Sequence, residues 1–489
     1  MTLASGDLVE HLEFGPGTVV DVLGANATVD FYGEEIGCQV VELEIKKSFK
    51  PKVSDKTKAT SEYKIAFRRG FEAVNLGVVP PDSASLIDMS IGGEKISDEV
   101  RTDLTNIHSK GLCKVVFGNY GTGKSHYLHL VKAIALQAGW VVSYLEFDPK
   151  AVDPAKPHLA YREVMSKLQF PKREDGTTSL GFHGFIKEIR KNWFTIRDLP
   201  NFRKNPWFRY GVEALQFYPH NEEQDYVSAC NWLAGQPVLL TGAGSIRTLA
   251  RGTNVKPMSI PNMPKTKETG DIYVFNLVVI NEICIALGYK GFLIILDEAE
   301  HVRGYSVTRK NRANNFFDLL ARSSHLPYGD GVPILNDFGH EFPEFWNNGP
   351  HFGLYVGLTE GDTFEYAYDS LKDACVFLHE QEDQVTLDVP SRAEYETWCL
   401  NLLINFHEHY PEKTELLASK SDRQAIAEVL GDLFEENEDS ELVIRIWVKL
   451  ACLVPSVILA RAVESIADII AIIHEAVLEL NGGSTMPWE

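Results

Sequence analysis

Eight consecutive residues, Gly118-Asn119-Tyr120-Gly121-Thr122-Gly123-Lys124-Ser125, carry the clearest chemistry in this chain. They fit the phosphate-binding pattern G-x-x-x-x-G-K-S/T. Glycines in such a loop let several backbone N–H groups converge on one anion, and the helix that follows adds the favourable end of its dipole. The spacing assigns Lys124 to the β- and γ-phosphates and the Ser125 hydroxyl to Mg²⁺. The expected nucleotide-binding set is Gly118, Asn119, Tyr120, Gly121, Thr122, Gly123, Lys124, Ser125 and the adjoining His126. The competing reading is a glycine-rich turn that fits by chance. The flanks disfavour it, because Lys114-Val115-Val116-Phe117 reads as a strand and Tyr127 to Ile134 as a helix.

A second group of residues bears on hydrolysis. Gly291-Phe292-Leu293-Ile294-Ile295-Leu296 is a continuous apolar run, as expected of a strand buried on both faces, and it ends in Asp297-Glu298-Ala299-Glu300. An acid at that strand end can hold the Mg²⁺ that Ser125 touches, which is the Walker-B role given to Asp297. Glu298 is then the candidate general base, polarising an attacking water. The bland alternative is that these acids cap the next helix. Phe352 to Leu358 reads as another core strand, and Thr359 at its end is a candidate sensor of the γ-phosphate; a polar strand end without function is the alternative. The catalytic candidates are therefore Glu298, Lys124 and Thr359, and the metal candidates Ser125 and Asp297.

Several elements must position these groups. Trp140 to Asp148 reads as a second strand, Val385 to Pro390 as a fifth, and Ile96 to His108 as a helix before the phosphate loop. About 140 residues separate the second strand from the Walker-B strand, more than one crossover needs, so a largely helical insertion is expected over about 165–270. Gly242-Ala243-Gly244-Ser245 within it reads as a loop. Residues 391–489 have helical periodicity and are expected to form a lid domain over a core spanning 63–390. The first 48 residues differ: short β-type segments separated by Gly15-Pro16-Gly17, Leu23-Gly24-Ala25-Asn26 and Tyr32-Gly33 predict a small all-β barrel. A Lys/Ser/Thr-rich stretch, 49–62, reads as a basic linker.

Composition sets outer limits. With 489 residues the chain is expected to hold two to four domains. A hydrophobic content of 44% with 24% charged residues is ordinary for a soluble globular protein, and apolar runs are too short or interrupted to span a bilayer. No signal peptide is read at the N-terminus, and the seven scattered cysteines read as reduced thiols, so a cytoplasmic location is expected. A net charge of −21 argues against a surface coated for DNA. Locally, nine basic residues face two acids between Lys46 and Arg69, and basic residues alternate with Trp193, Phe194, Phe202, Trp207 and Phe208 between Arg162 and Arg209. Such mixing can grip a backbone and stack bases. Ordinary helices with buried and solvated faces are the favoured reading.

Two resemblances extend these readings. Gly6-Asp7-Leu8-Val9-Glu10-His11, Phe14-Gly15-Pro16-Gly17-Thr18-Val19-Val20 and Val29-Asp30-Phe31 resemble the Tudor/SH3-like module of UvrD/PcrA-type helicases. That resemblance implies a protein partner such as RNA polymerase, or nucleic acid. The phosphate loop, Leu296-Asp297-Glu298-Ala299-Glu300 and Ile91-Gly92-Gly93-Glu94 are similar to the ATP-binding proteins of bacterial BREX-type phage-defence loci, strongest over about 64–165 and 288–325. It implies an α/β fold, an AAA+-type P-loop NTPase with a parallel sheet flanked by helices, using ATP and Mg²⁺ among other defence-system proteins, with homo-oligomers and DNA as further partners. AAA+ lids commonly carry a Pro-Arg pair, but here Pro455 precedes Ser456, leaving Arg445 or Arg461 as substitutes. Arg303, Arg309, Arg312 and Arg322 follow the Walker-B strand, and no arginine finger is assigned among them. The leading function is an ATPase remodelling a nucleoprotein complex; a slow nucleotide switch or scaffold, and a DNA translocase, are the alternatives.

Overall fold

The structure is a computed structural model. It describes residues 8–11, 15–23, 26–31, 34–39, 43–47, 56–80, 83–119, 121–148, 152–171, 181–216, 223–236, 270–324, 351–359, 384–437, 444–460 and 462–481. The chain divides into two units, Met1–Ile65 and Ala66–Glu489.

The first unit holds five short strands: β1 (Leu8–His11), β2 (Gly15–Leu23), β3 (Asn26–Phe31), β4 (Glu34–Gln39) and β5 (Leu43–Lys47). They pair antiparallel in the order β4-β3-β2-β1-β5. Consecutive strands pair as a meander, and β5 returns to the free side of β1. A helix, Lys56–Asn75, starts within the stretch read as a linker.

The second unit is built on a six-stranded sheet: β6 (Cys113–Phe117), β7 (Val141–Glu146), β8 (Leu168–Gln169), β9 (Phe292–Asp297), β10 (Gly353–Leu358) and β11 (Gln384–Thr386). The order is β11-β6-β10-β9-β7-β8, parallel throughout except for the two-residue edge strand β8. The expected core strands are present, but the fifth spans only Gln384–Thr386 and ends short of the expected Pro390. Alternating side chains divide between two apolar layers. Val116, Val142, Leu293, Ile295 and Tyr355 face the layer holding helices Gly93–Lys110 and Lys124–Gln137. Val115, Val141, Ile294, Leu296 and Val356 face the layer holding helices Pro157–Ser166, Gly270–Ala286 and Val307–Ser324. A parallel sheet covered on both sides explains why β9 is apolar at every position.

The described part of the expected insertion, outside β8, is helical: Gly181–Lys191, Trp193–Ile196, Pro200–Lys204, Pro206–Gln216 and Glu223–Leu233. These helices join the second apolar layer, with Trp193, Phe202 and Phe208 buried in it. Those three rings are core residues; Phe194 is 76% exposed, with Arg197 over its ring. Gly242 to Ser245 lies outside the described residues.

Four C-terminal helices, Arg392–His409, Lys420–Glu436, Ile444–Leu459 and Ile466–Asn481, share one apolar core. Phe67, Phe71 and Val74 of helix Lys56–Asn75 and Met89 also enter it. The first of the four helices is fixed at its start by a capping box between Ser391 and Glu394. Among the described residues, no helix is long and apolar enough to cross a membrane, and no cluster of His, Cys, Asp or Glu could hold a metal on its own. Cys113, Cys230, Cys284, Cys399 and Cys452 are buried.

Candidate functional site

The site forms where the carboxyl ends of β6, β9 and β10 meet the start of helix Lys124–Gln137. The loop after β6 needs its glycines for two different reasons. Gly121 and Gly123 have left-handed φ angles of 84° and 95°, which side chains rarely adopt. At Gly118 a Cβ would lie 2.5 Å from Thr122 Oγ1, so the loop closes only without one. Thr122 tightens the turn by donating from both N and Oγ1 to the Asn119 carbonyl, at 3.2 and 2.8 Å. Tyr120 lies outside the described residues.

The helix that follows has Gly123 at its N-cap, no side-chain cap and no acid in its first turn. Its first N–H groups have no intrahelical acceptor. An uncapped, glycine-lined helix start after a parallel strand suits a phosphate group.

Three segments distant in sequence meet at this helix. Lys124 Nζ donates to Thr359 Oγ1 at 2.6 Å, and Ser125 Oγ donates to Asp297 Oδ2 at 2.7 Å. The strand order explains both contacts. Because β10 lies between β6 and β9, its end delivers Thr359 beside Lys124, while β9 delivers Asp297 one strand further. Asp297 is 1% exposed, and three donors surround its carboxylate: Ser125 Oγ and Tyr144 OH on Oδ2, the latter at 2.8 Å, and the Glu298 N–H on Oδ1 at 2.9 Å. Gly357 leaves room for it, since a Cβ there would lie 2.8 Å from Asp297 Oδ1 and 2.7 Å from Leu128 Cδ1.

Glu298 is the one non-glycine at positive φ among the described residues, at φ 57°, ψ 34°. That conformation costs about 1–2 kcal/mol for an ordinary side chain, and such strain gathers at functional sites. It precedes a short 3₁₀ turn, Ala299–Gly304, yet its side chain makes no cap there. The capping explanation therefore fails for Glu298, whose side chain is exposed. Glu146, register partner of Asp297 on β7, adds a third carboxylate; burial first, then the Asp297 and Glu298 charges, push it up from the ordinary range.

His126 turns away from the loop toward the segment before helix Gly93–Lys110. Ser90 Oγ donates to the Leu86 carbonyl, so it accepts from His126 Nε2 at 2.7 Å, which leaves Nδ1 as the unprotonated nitrogen. Packing around the ring, with His129 nearby, pushes His126 down to about 4, so it is neutral at pH 7. Met89 and Ile91, on either side of Ser90, pack with the C-terminal helices. The first turn of the phosphate-loop helix is thus tied to a segment shared with the C-terminal core.

Sequence reasoning missed Tyr144, Ser90 and Gly357. A tyrosine inside an apolar strand, a lone serine and a strand glycine carry no motif. Among the arginines, Arg309 pairs with Asp153 at 3.0 Å and Arg322 with Asp318 at 2.8 Å. Ser456 Oγ donates back to the Cys452 carbonyl at 2.8 Å, an ordinary helix contact. Arg445 packs on Gly77, where a Cβ would lie 2.6 Å from its Nε. Arg461 lies outside the described residues, as does the side chain of Arg303.

Comparison with known proteins gives a partial match. Among solved structures, the chain is similar to the Walker-type ATPase PABY2304 of Pyrococcus abyssi, with 13% identity over 76% of this chain and 73% of that one and a TM-score of 0.27. No curated protein matches. The family model described as BREX system ATP-binding protein BrxC/D matches residues 68–205, a stretch that includes the phosphate loop and ends before β9.

Proposed function

We propose that this chain is a Mg²⁺-dependent ATPase of the AAA+-type P-loop class, working with partner proteins in a phage-defence system. One observation carries the reading: Lys124 and Ser125 are adjacent in the phosphate loop, and each is bonded to a polar residue from a different strand end, Thr359 and Asp297. A glycine turn that matched the motif by chance has no reason to gather those partners. The match over 68–205 supports the defence assignment, and supports ATP as the nucleotide.

In this reading the loop amides after Gly118 and the Lys124 ammonium hold the triphosphate. Ser125 Oγ donates its hydrogen bond to Asp297, which would leave its oxygen lone pairs available to a metal ion. Ser125 and Asp297 are the residues that would hold Mg²⁺, which when bound would offset the phosphate charge. Thr359 accepts a hydrogen bond from the Lys124 ammonium, so both groups are available to the γ-phosphate. Glu298, kept out of the cap and in the solvent, accepts the proton of the attacking water. The antiparallel sheet of residues 8–47 serves as an SH3/Tudor-like adaptor for a protein or nucleic-acid partner, and hydrolysis drives remodelling of the complex so recruited.

The test is ATP binding by Lys124→Ala, measured by calorimetry with Mg²⁺. Loss of the point charge on the phosphates should weaken binding at least tenfold. Affinity within twofold of the parent would defeat the assignment.

A further inference from the structure

Asp297 Oδ2 receives two hydroxyl donors, and only one of them belongs to the phosphate loop. The second comes from β7. Tyr144 is the register partner of Ile295, so Asp297 is its diagonal neighbour two residues along β9 on the same face of the sheet. A tyrosine spans that diagonal, and its OH reaches Oδ2 at 2.8 Å. The residue is buried, with its ring stacked on His129 at 4.3 Å between centroids and Lys132 Nζ 5.7 Å from its centre.

We infer that Tyr144 is a positioning residue for the metal-binding pair, holding the Asp297 carboxylate so that Oδ2 accepts the Ser125 proton and leaves Ser125 Oγ free to meet Mg²⁺. The inference rests on the nucleotide-site reading above. Its physical basis is the two-donor arrangement. Without Tyr144 the Glu298 N–H still fixes Oδ1, but Oδ2 keeps only the Ser125 hydroxyl and can follow the serine as the carboxylate turns about the Oδ1 contact. A second, rigid donor from a neighbouring strand fixes the oxygen independently of the loop. Outer-sphere hydrogen bonds of this kind are worth about 10–100-fold in metal affinity or activity.

The test uses the full chain and a non-hydrolysable ATP analogue, with calorimetric affinities measured at a series of Mg²⁺ concentrations. Tyr144→Phe keeps the stacked ring and removes only the donor. Its metal-free affinity should stay within twofold of the parent, while the Mg²⁺ concentration giving half the full enhancement rises about tenfold. In an Asp297→Asn background the same change should add nothing. As a packing control, His129→Gln removes the stacking partner and leaves the donor, so it should shift the melting temperature but not the Mg²⁺ dependence. An unchanged Mg²⁺ dependence in Tyr144→Phe, with the parent binding the analogue normally, overturns this inference alone. A full effect persisting in the Asp297→Asn background also overturns it, because the hydroxyl would then act elsewhere. If the parent binds no analogue at all, the nucleotide-site reading fails and takes this inference with it.

Discussion

Ser125 Oγ and Asp297 Oδ2 stand 2.7 Å apart although 172 positions separate them in the chain. The contact exists because β9 ends one strand beyond β10, on the side of the sheet that the phosphate-loop helix covers. A loop, a strand and a helix, each legible alone, become a site only through that strand order.

Gly357 is a tight point of the arrangement. A methyl group there would press on Leu128 Cδ1 and Asp297 Oδ1, beside Lys124. Gly357→Ala should destabilise the chain by about 1–3 kcal/mol, the usual range for overpacking a filled core. It should also reduce ATP turnover, because the displaced groups are those of the site. Urea denaturation beside a phosphate-release assay checks both. Parental stability would mean that the sheet can relax around the extra carbon.

The two histidines of the phosphate-loop helix make stability pH-dependent. Burial, then the neighbouring charge of His129 for His126 and of Lys132 for His129, bring both to about 4 from an ordinary 6.5. As pH falls below about 6.5 the unfolded chain takes up these protons while the folded chain does not, so stability falls between about 6.5 and 4. Each group contributes a slope of at most about 1.4 kcal/mol per pH unit. Thermal melts from pH 7.5 to 5 should show a shallower decline in His126→Gln than in the parent. Parallel curves would contradict the depressed value.

The helix Lys56–Asn75 joins the core of the C-terminal helices, so the position of a truncation within it decides whether the chain folds. Phe67, Phe71 and Val74 bury into the core of the C-terminal helices, so a chain starting at Lys56 should fold and bind ATP. A chain starting at Leu76 should lose cooperative melting. The first version should also lose any partner recruited through residues 8–47, as read by pull-down. Failure of the first version to fold would show that the N-terminal unit is part of the core and not an adaptor.

Much of this site was legible because its chemistry is local. A phosphate loop needs contiguous glycines, a lysine and a hydroxyl, and an apolar run ending in two acids marks its own strand end. The apolar pattern also located β7, β10, β11 and the C-terminal helices. Long-range geometry was hidden. Nothing in Gly353 to Leu358 says that it inserts between β6 and β9, and nothing in Tyr144 announces a diagonal neighbour on another strand. The basic, aromatic stretch after Arg162 was ambiguous for a related reason: Trp193, Phe202 and Phe208 look the same in sequence whether they stack on a ligand or fill a core. The basic segment around Lys56 read as a linker because charge and Ser/Thr content outweighed a helical period that emerges only toward Phe67 and Phe71.

The most direct test of the account is ATP hydrolysis by the parent chain and by Glu298→Gln, with ATP affinity measured on both. The amide keeps the shape of the side chain and removes its basicity. The account predicts measurable turnover by the parent, a loss of about 10²–10⁴-fold in the variant, and ATP affinity within twofold between them. A parent that binds ATP without hydrolysing it, or a variant that turns over as fast as the parent, would contradict it.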